Sequence, residues 1–186
     1  MAVLETERLV LREMVPADLP GLRRFLQDKS VMYAYEHAFS EEEVRQWLER
    51  QLERYARHGF GLWSVIEKAG GALIGDCGLT VQDWSGREVL EIGYHLCRDK
   101  WHQGFATEAA VACKRYAFDV LQAREVFSII RENNLASQRV ALRNGMSVCG
   151  SFIKRYYGMD MLHLVFSVKN SSRQQLTANK REEPDL

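Results

Sequence analysis

The sequence predicts an α+β fold on a mixed sheet, and three observations carry that reading. Segments of strand and helix periodicity run as strand, two helices, three strands, helix, strand, helix and two strands. The middle three strands are separated only by the short turns Ala69-Gly70-Gly71 and Asp83-Trp84-Ser85-Gly86, which makes them antiparallel hairpins. The following strand is reached through a helix, so it lies parallel to the one before. At 186 residues the chain suits one domain, since typical domains hold roughly 100–200 residues. About seven strands and four helices are expected in that domain.

The elements follow in order. Residues 8–13 alternate as a first strand. Pro16 and Asp18 open a short helix whose apolar side is Leu19, Leu22, Phe25 and Leu26. Residues 29–39 break the period and gather Tyr33, Tyr35 and Phe39 around Glu36 and His37. Ser40-Glu41-Glu42-Glu43 is a capping box, in which the Ser hydroxyl and the third Glu each satisfy a free backbone donor. The helix behind it puts Val44, Trp47, Leu48, Leu52 and Tyr55 on one face and stops at His58-Gly59. Residues 61–67, 73–81 and 89–96 are the hairpin strands, and 109–121 has helical spacing. Residues 125–131 are the next strand, and a helix over 136–144 ends at Gly145. Residues 148–154 and 162–168 form a closing pair of strands around Tyr156-Tyr157-Gly158. From Asn170 the chain is polar, charged and without period, so 1–169 is read as the domain and 170–186 as a disordered tail.

Composition narrows the function. Lys plus Arg and Asp plus Glu both number 25, which argues against broad capture of nucleic acid and leaves room for a local basic patch. Cys77, Cys97, Cys113 and Cys149 form no C-x-x-C pair, so no metal site is expected and the chain reads as reduced. No early apolar run resembles a signal peptide and no segment approaches the roughly 18 apolar residues of a membrane span. The expectation is a cytoplasmic protein, without a membrane partner, working as a monomer or homodimer.

The chemistry concentrates on Trp101-His102-Gln103-Gly104-Phe105-Ala106-Thr107-Glu108-Ala109, between a strand and a helix. Gly104 and Ala106 let backbone N–H groups converge with no side chain in the way. A helix start has unpaired donors and a partial positive charge, so the stretch is a seat for phosphate or pyrophosphate. Glu91 sits in an otherwise apolar strand, where an unpaired charge is costly. It is either a general base or a surface carboxylate paired with Arg87. Asn134 and Ser137 stand where a helix N-cap is expected.

Residues 101–109 resemble the acetyl-CoA-binding motif of the GNAT acyltransferase superfamily, Q/R-x-x-G-x-G/A, with Gly104 and Ala106 at its two small positions. Trp101 replaces the usual Gln or Arg, and His102 stands where Gly is frequent. An aromatic followed by G-F-A-T-E-A is typical of the ribosomal-protein N-terminal (RimJ/RimL-like) acetyltransferases and their small-molecule relatives. Asn134-Leu135-Ala136-Ser137 with Arg143-Asn144-Gly145-Met146 resembles a second block of that branch.

The resemblance implies the GNAT fold and transfer of an acetyl group from acetyl-CoA to a primary amine, on a small molecule or a protein N-terminus. It implies pyrophosphate contacts at Gln103, Gly104, Phe105, Ala106 and Thr107. The strand edge at Leu96, Cys97 and Arg98 would meet the pantetheine arm, together with Asn134 and Ser137. Glu91 would be the base. A Tyr that often protonates the leaving thiolate is replaced by Ala141, which leaves Ser137 for that role. Arg139 and Arg143 either reach the ribose phosphate or form a solvated face. Tyr33, Glu36 and Tyr156 would flank the acceptor groove, and Trp84 marks a partner or dimer contact. Two other readings remain: a catalytically silent acyl-CoA sensor of the same fold, and a nucleotide binder using the same anion seat.

Overall fold

The structure, a computed structural model, describes residues 2–156 and 158–171. Most of the expected tail, 172–186, lies outside the described residues, as do Tyr157 and the Tyr156 side chain. Eight strands form one mixed sheet in the order β1-β2-β3-β4-β5-β6-β8-β7. They are β1 (Ala2–Glu5), β2 (Leu9–Arg12), β3 (Leu62–Glu67), β4 (Leu73–Trp84), β5 (Arg87–Leu96), β6 (Glu125–Arg131), β7 (Ser147–Tyr156) and β8 (Met159–Lys169). The extra member relative to the expected seven is β1, a four-residue edge strand that pairs antiparallel with β2 through a shift in register. Four residues are too few for a periodic signal, which is why the sequence does not announce it.

The four helices are α1 (Leu19–Leu26), α2 (Glu41–His58), α3 (Phe105–Asp119) and α4 (Leu135–Arg143). Pro16–Asp18 is a 3-10 turn ahead of α1 rather than its first residues. Helix α2 starts on the expected box: Glu43 N donates to Ser40 Oγ (3.2 Å) and Ser40 N to Glu43 Oε2 (2.8 Å). It stops at Gly59, whose φ of 76° suits a residue without Cβ.

Two cores hold the layers together. On one face α3 and α4 pack against β2 to β6 through Leu9, Leu11, Trp63, Ile92, Phe105 and Val126. Helix α3 presents Ala109, Ala110, Cys113 and Ala117 to the sheet, small enough for close approach. On the other face α1 and α2 bury Leu22, Phe25, Leu26, Val44 and Leu48 with Met14 and Met32. The entry to α1 is tied to the sheet by Asp18, which accepts from Arg12 twice (2.7 Å each), Val15 N (3.0 Å) and Ser64 Oγ (2.9 Å).

All neighbours in the sheet are antiparallel except β5 and β6. That parallel pair shares one register position, Glu91 with Phe127. Beyond it the tie is a side chain: Ser128 Oγ donates to Ile92 O (2.9 Å). The sheet therefore opens between the C-terminal halves of β5 and β6. Trp84, expected at a partner contact, also packs within the chain. It lies over Gly150 of β7, where a Cβ would come within 2.6 Å of the indole, and against the Phe127 ring.

Candidate functional site

A cleft of about 760 Å³ occupies the split between β5 and β6. Its walls come from β5, β6, the start of α3, one side of α4, and the acceptor-side elements α2 and the segment around Tyr33. This is the topological place where a ligand can meet backbone groups that no neighbouring strand has taken.

At one end lies the turn into α3. Gly104 caps the helix with φ 83°, and His102 also adopts a left-handed conformation, φ 60°. The first helical bond is Glu108 N to Gly104 O (3.0 Å), so the N–H groups of Phe105, Ala106 and Thr107 have no partner within the helix. Gly104, Phe105, Ala106 and Thr107 line the cleft together with Trp101 and His102. Gln103 does not: its Nε2 donates to Asp99 O (2.9 Å) and its carbonyl accepts from Arg8 Nη1 (3.0 Å). The turn is braced from β1 and β2. Glu108 accepts from Thr6 Oγ1 (2.6 Å), Arg8 N (2.9 Å) and Arg8 Nε (2.7 Å), and the Arg8 guanidinium lies 4.3 Å from the centre of the Phe105 ring. Burial alone would push the Glu108 carboxyl up, but these donors outweigh it and hold its pKa below the ordinary value. A small-residue turn with three unpaired amides at a helix start fits the diphosphate of a coenzyme.

Strand β5 divides its groups by parity. Cys97 N donates to Ile74 O (2.8 Å) and His95 N to Asp76 Oδ1 (3.1 Å), so these amides point toward β4. Alternation turns Tyr94 and Leu96 amides toward the open side. Leu96 thus lies on the cleft edge, its carbonyl accepting from Trp101 Nε1 (3.0 Å). Cys97 is buried among α1 and α2, and Arg98 is exposed at the start of a 3-10 turn, so neither lines the cleft. Across the cleft, Asn134 Oδ1 accepts from Ser137 N (3.0 Å), capping α4, and both residues line the wall. Tyr94 Oη donates to Ser137 O (2.9 Å) and fastens α4 to the floor. Ala141, at the vacated Tyr position, packs into the main core. Arg139 and Arg143 are exposed on the α4 rim of the cleft.

The side chains of β5 alternate likewise. Leu90, Ile92, Tyr94 and Leu96 join the core beneath α3, while Glu91 and His95 face the other way with Gly93 between them. Glu91 does not pair with Arg87, which instead meets Glu125 at 3.6 Å. Its Oε1 accepts from Ile129 N on β6 (3.1 Å), a donor that the splayed ladder leaves over, and its Oε2 lies 3.4 Å from Thr80 Oγ1. Burial pushes the Glu91 pKa above the ordinary carboxylate value, against the bond from Ile129 and the charges of Lys154 and Arg54.

On the acceptor side Tyr33 lines the cleft, and its pKa is raised by burial. Glu36 is engaged by Arg131 across the cleft mouth and lies outside the lining. Tyr156 closes β7, where the backbone alone is described. Two residues that the sequence does not flag, His95 and Arg54, line this side, and a third, Asp76, supports His95 from beneath. Asp76 is fully buried and accepts from Trp47 Nε1 (3.0 Å), His95 N (3.1 Å) and His95 Nδ1 (2.8 Å). His95, so held, is also flanked by Phe25, Tyr35 and Trp47. Arg54 projects from α2. The argument used for Glu91 applies equally to Asp76, a carboxylate inside the apolar run of β4, and would have found it.

The comparisons agree with this geometry. A family model described as "Acetyltransferase (GNAT) domain" matches residues 8–147. The protein named "Uncharacterized protein YkkB" of Bacillus subtilis (strain 168) is 35% identical over 144 residues, 77% of this chain and 84% of its own length. The "Uncharacterized N-acetyltransferase YoaA" of the same organism is 26% identical over 145 residues, 77% and 81% of the two chains. Among solved structures, an acetyltransferase from Agrobacterium tumefaciens str. C58 superposes with a TM-score of 0.75 at 26% identity, covering 90% of this chain and 94% of the other. RimL, the ribosomal L7/L12 α-N-protein acetyltransferase, in complex with coenzyme A, superposes at 0.72 with 18% identity, covering 91% and 98%. With the family model spanning most of the sequence, the chain belongs to the GNAT acetyltransferase family.

Proposed function

We propose that the protein moves an acetyl group from acetyl-CoA to a primary amine by direct attack in a ternary complex. One observation carries the reading: the anion seat at Gly104 and the desolvated carboxylate of Glu91, set on opposite faces of the sheet, open into the same cleft at the split between β5 and β6. The seat and the rim arginines Arg139 and Arg143 suit the phosphates of the coenzyme. The outward amides of Tyr94 and Leu96 suit the pantetheine arm. An ammonium with a pKa near roughly 10 must lose a proton before it attacks. Glu91, which lines the cleft and has a raised pKa, is the base. The amine nitrogen bonds to the thioester carbon, the tetrahedral intermediate then expels the thiolate as its carbon–sulfur bond breaks, and the excess proton left on nitrogen passes through the Ser137 hydroxyl to the sulfur. Fixed backbone donors stabilise the oxyanion formed on the way. The four free cysteines fit a reducing cytoplasm.

Thiol release measured across a panel of amines and peptides tests this, with Gly104→Val as the partner variant. The positive φ at Gly104 strains any β-branched residue, and its Cβ would come within 3.4 Å of the Arg8 guanidinium that braces the turn. The wild type should release thiol with at least one amine, and the variant should lose acetyl-CoA binding while keeping its fold by circular dichroism. Coenzyme binding without release to any amine would instead favour the silent sensor. Normal acetyl-CoA binding by Gly104→Val would remove the seat from the site.

A further inference from the structure

Helix α2 turns a stripe of Trp47, Gln51 and Arg54 to the sheet, at the spacing of one helix face. Gln51 is fully buried and wholly committed. Its Oε1 accepts from Leu62 N (3.0 Å) and from Arg54 Nη1 (3.1 Å), and its Nε2 donates to Trp47 O (3.3 Å). The amide therefore pins the guanidinium at the cleft wall, half-buried. Two other cations of the wall, Lys100 and Arg131, have carboxylates of their own, Glu67 and Glu36, while Arg139 and Arg143 are exposed to water at the rim. Among the described residues Arg54 forms no ion pair, and its bond to Gln51 is to a neutral group.

A cation held partly out of water with no carboxylate in direct contact is unfavourable, and here burial, with the nearby charge of Arg50, lowers the Arg54 pKa against the more distant charges of Glu91 and Asp76. A guanidinium presents five N–H donors in a planar fork that matches a carboxylate. Arg54 and Lys154 both act electrostatically on Glu91, so the place where an amine would be deprotonated is flanked by positive charge. A simple ammonium adds a further positive charge there. An acceptor that brings its own anion adds no net charge.

We propose that the acceptor is an amine carrying a carboxylate, which pairs with Arg54 while the amine is presented to Glu91. This rests on the acetyl-transfer reading above and names the acceptor class of that site. A free amino acid and a peptide with an acidic N-terminal residue share this chemistry, and the arms of the test separate them.

The probes are matched pairs: phenylalanine against phenethylamine, and aspartyl-alanine amide against asparaginyl-alanine amide, in which only the aspartyl side chain supplies a carboxylate. Both are assayed by thiol release with acetyl-CoA. The wild type should favour the carboxylate-bearing member of at least one pair by about tenfold or more in kcat/KM, the size of one charge-assisted hydrogen bond. The first pair reports a free amino acid, the second an acidic peptide. Arg54→Gln should bring that ratio close to one, chiefly through KM, and Arg54→Lys should restore part of it. Acetyl-CoA affinity, measured for each variant, reports that the fold is intact. A wild type indifferent to the carboxylate, or a preference that survives Arg54→Gln, overturns the inference and leaves acetyl transfer standing. No thiol release with any amine of a wider panel overturns both.

Discussion

Glu91 combines two demands that pull in opposite directions. Its Oε1 satisfies Ile129 N, which the splayed strands would otherwise leave unpaired. Its burial holds the pKa above the ordinary carboxylate value. With a raised folded pKa, the native state binds the Glu91 proton more tightly than the unfolded chain does. This group therefore favours folding at low pH, and the contribution is lost as pH rises from the ordinary carboxylate pKa through the raised one. Glu91→Gln keeps an acceptor for Ile129 N but cannot ionise. We expect the variant to lose stability less than the wild type across that window, measured as the urea midpoint against pH. Its acetyl-transfer rate should fall by roughly 10²–10⁴, the usual contribution of a general base, with acetyl-CoA affinity retained. A kcat unchanged at every pH would take Glu91 out of the chemistry. The sequence marks this residue because a carboxylate among apolar neighbours is conspicuous in one dimension. Arg54 and His95 are not conspicuous there. The meaning of His95 comes from Asp76, on the neighbouring strand, and that of Arg54 from the cleft that its helix comes to face.

At the scale of elements, the anion seat depends on partners far away in the chain. Helix α3 is anchored by Glu108, which takes donors from Thr6 and Arg8 at the β1–β2 turn, and Arg8 in turn holds the carbonyl of Gln103. Glu108→Ala should leave those donors half-satisfied and cost about 1–3 kcal/mol of stability, read from chemical denaturation. It should also weaken acetyl-CoA binding by about tenfold, because the turn at Gly104 loses its brace. The carboxyl has a depressed pKa, so its contribution is present above the ordinary carboxylate range and is lost as pH falls through the folded value. An alanine variant with unchanged affinity would mean that the turn holds its shape alone. Local signals served well for such elements. The capping box at Ser40, the stop at Gly59 and the hairpin turns of β3 to β5 are each decided within a few residues. Glu108 was visible as part of a motif, but its partners lie about a hundred residues earlier in the chain.

For the molecule as a whole, the order of elements sufficed for the mixed sheet and the parallel junction of β5 with β6. The cleft was legible as a consequence of that junction. The side of it facing α2 was not, because no local pattern says which residues of a helix meet a cleft formed by strands thirty or more residues later. Trp84 shows the same limit: an aromatic in a turn looked outward, yet it closes over Gly150 of a strand far along the sequence.

The single register pair between β5 and β6 has a dynamic corollary. Deuterium should enter the amides flanking that seam sooner than those of the β4–β5 hairpin, whose ladder is continuous from Gly75 to Trp84. Saturating acetyl-CoA should slow the seam selectively, so that exchange mass spectrometry would see the ligand act as the missing rung. Equal protection on both sides before any ligand is added would mean that the two halves of the sheet are already fastened by their flanking side chains alone.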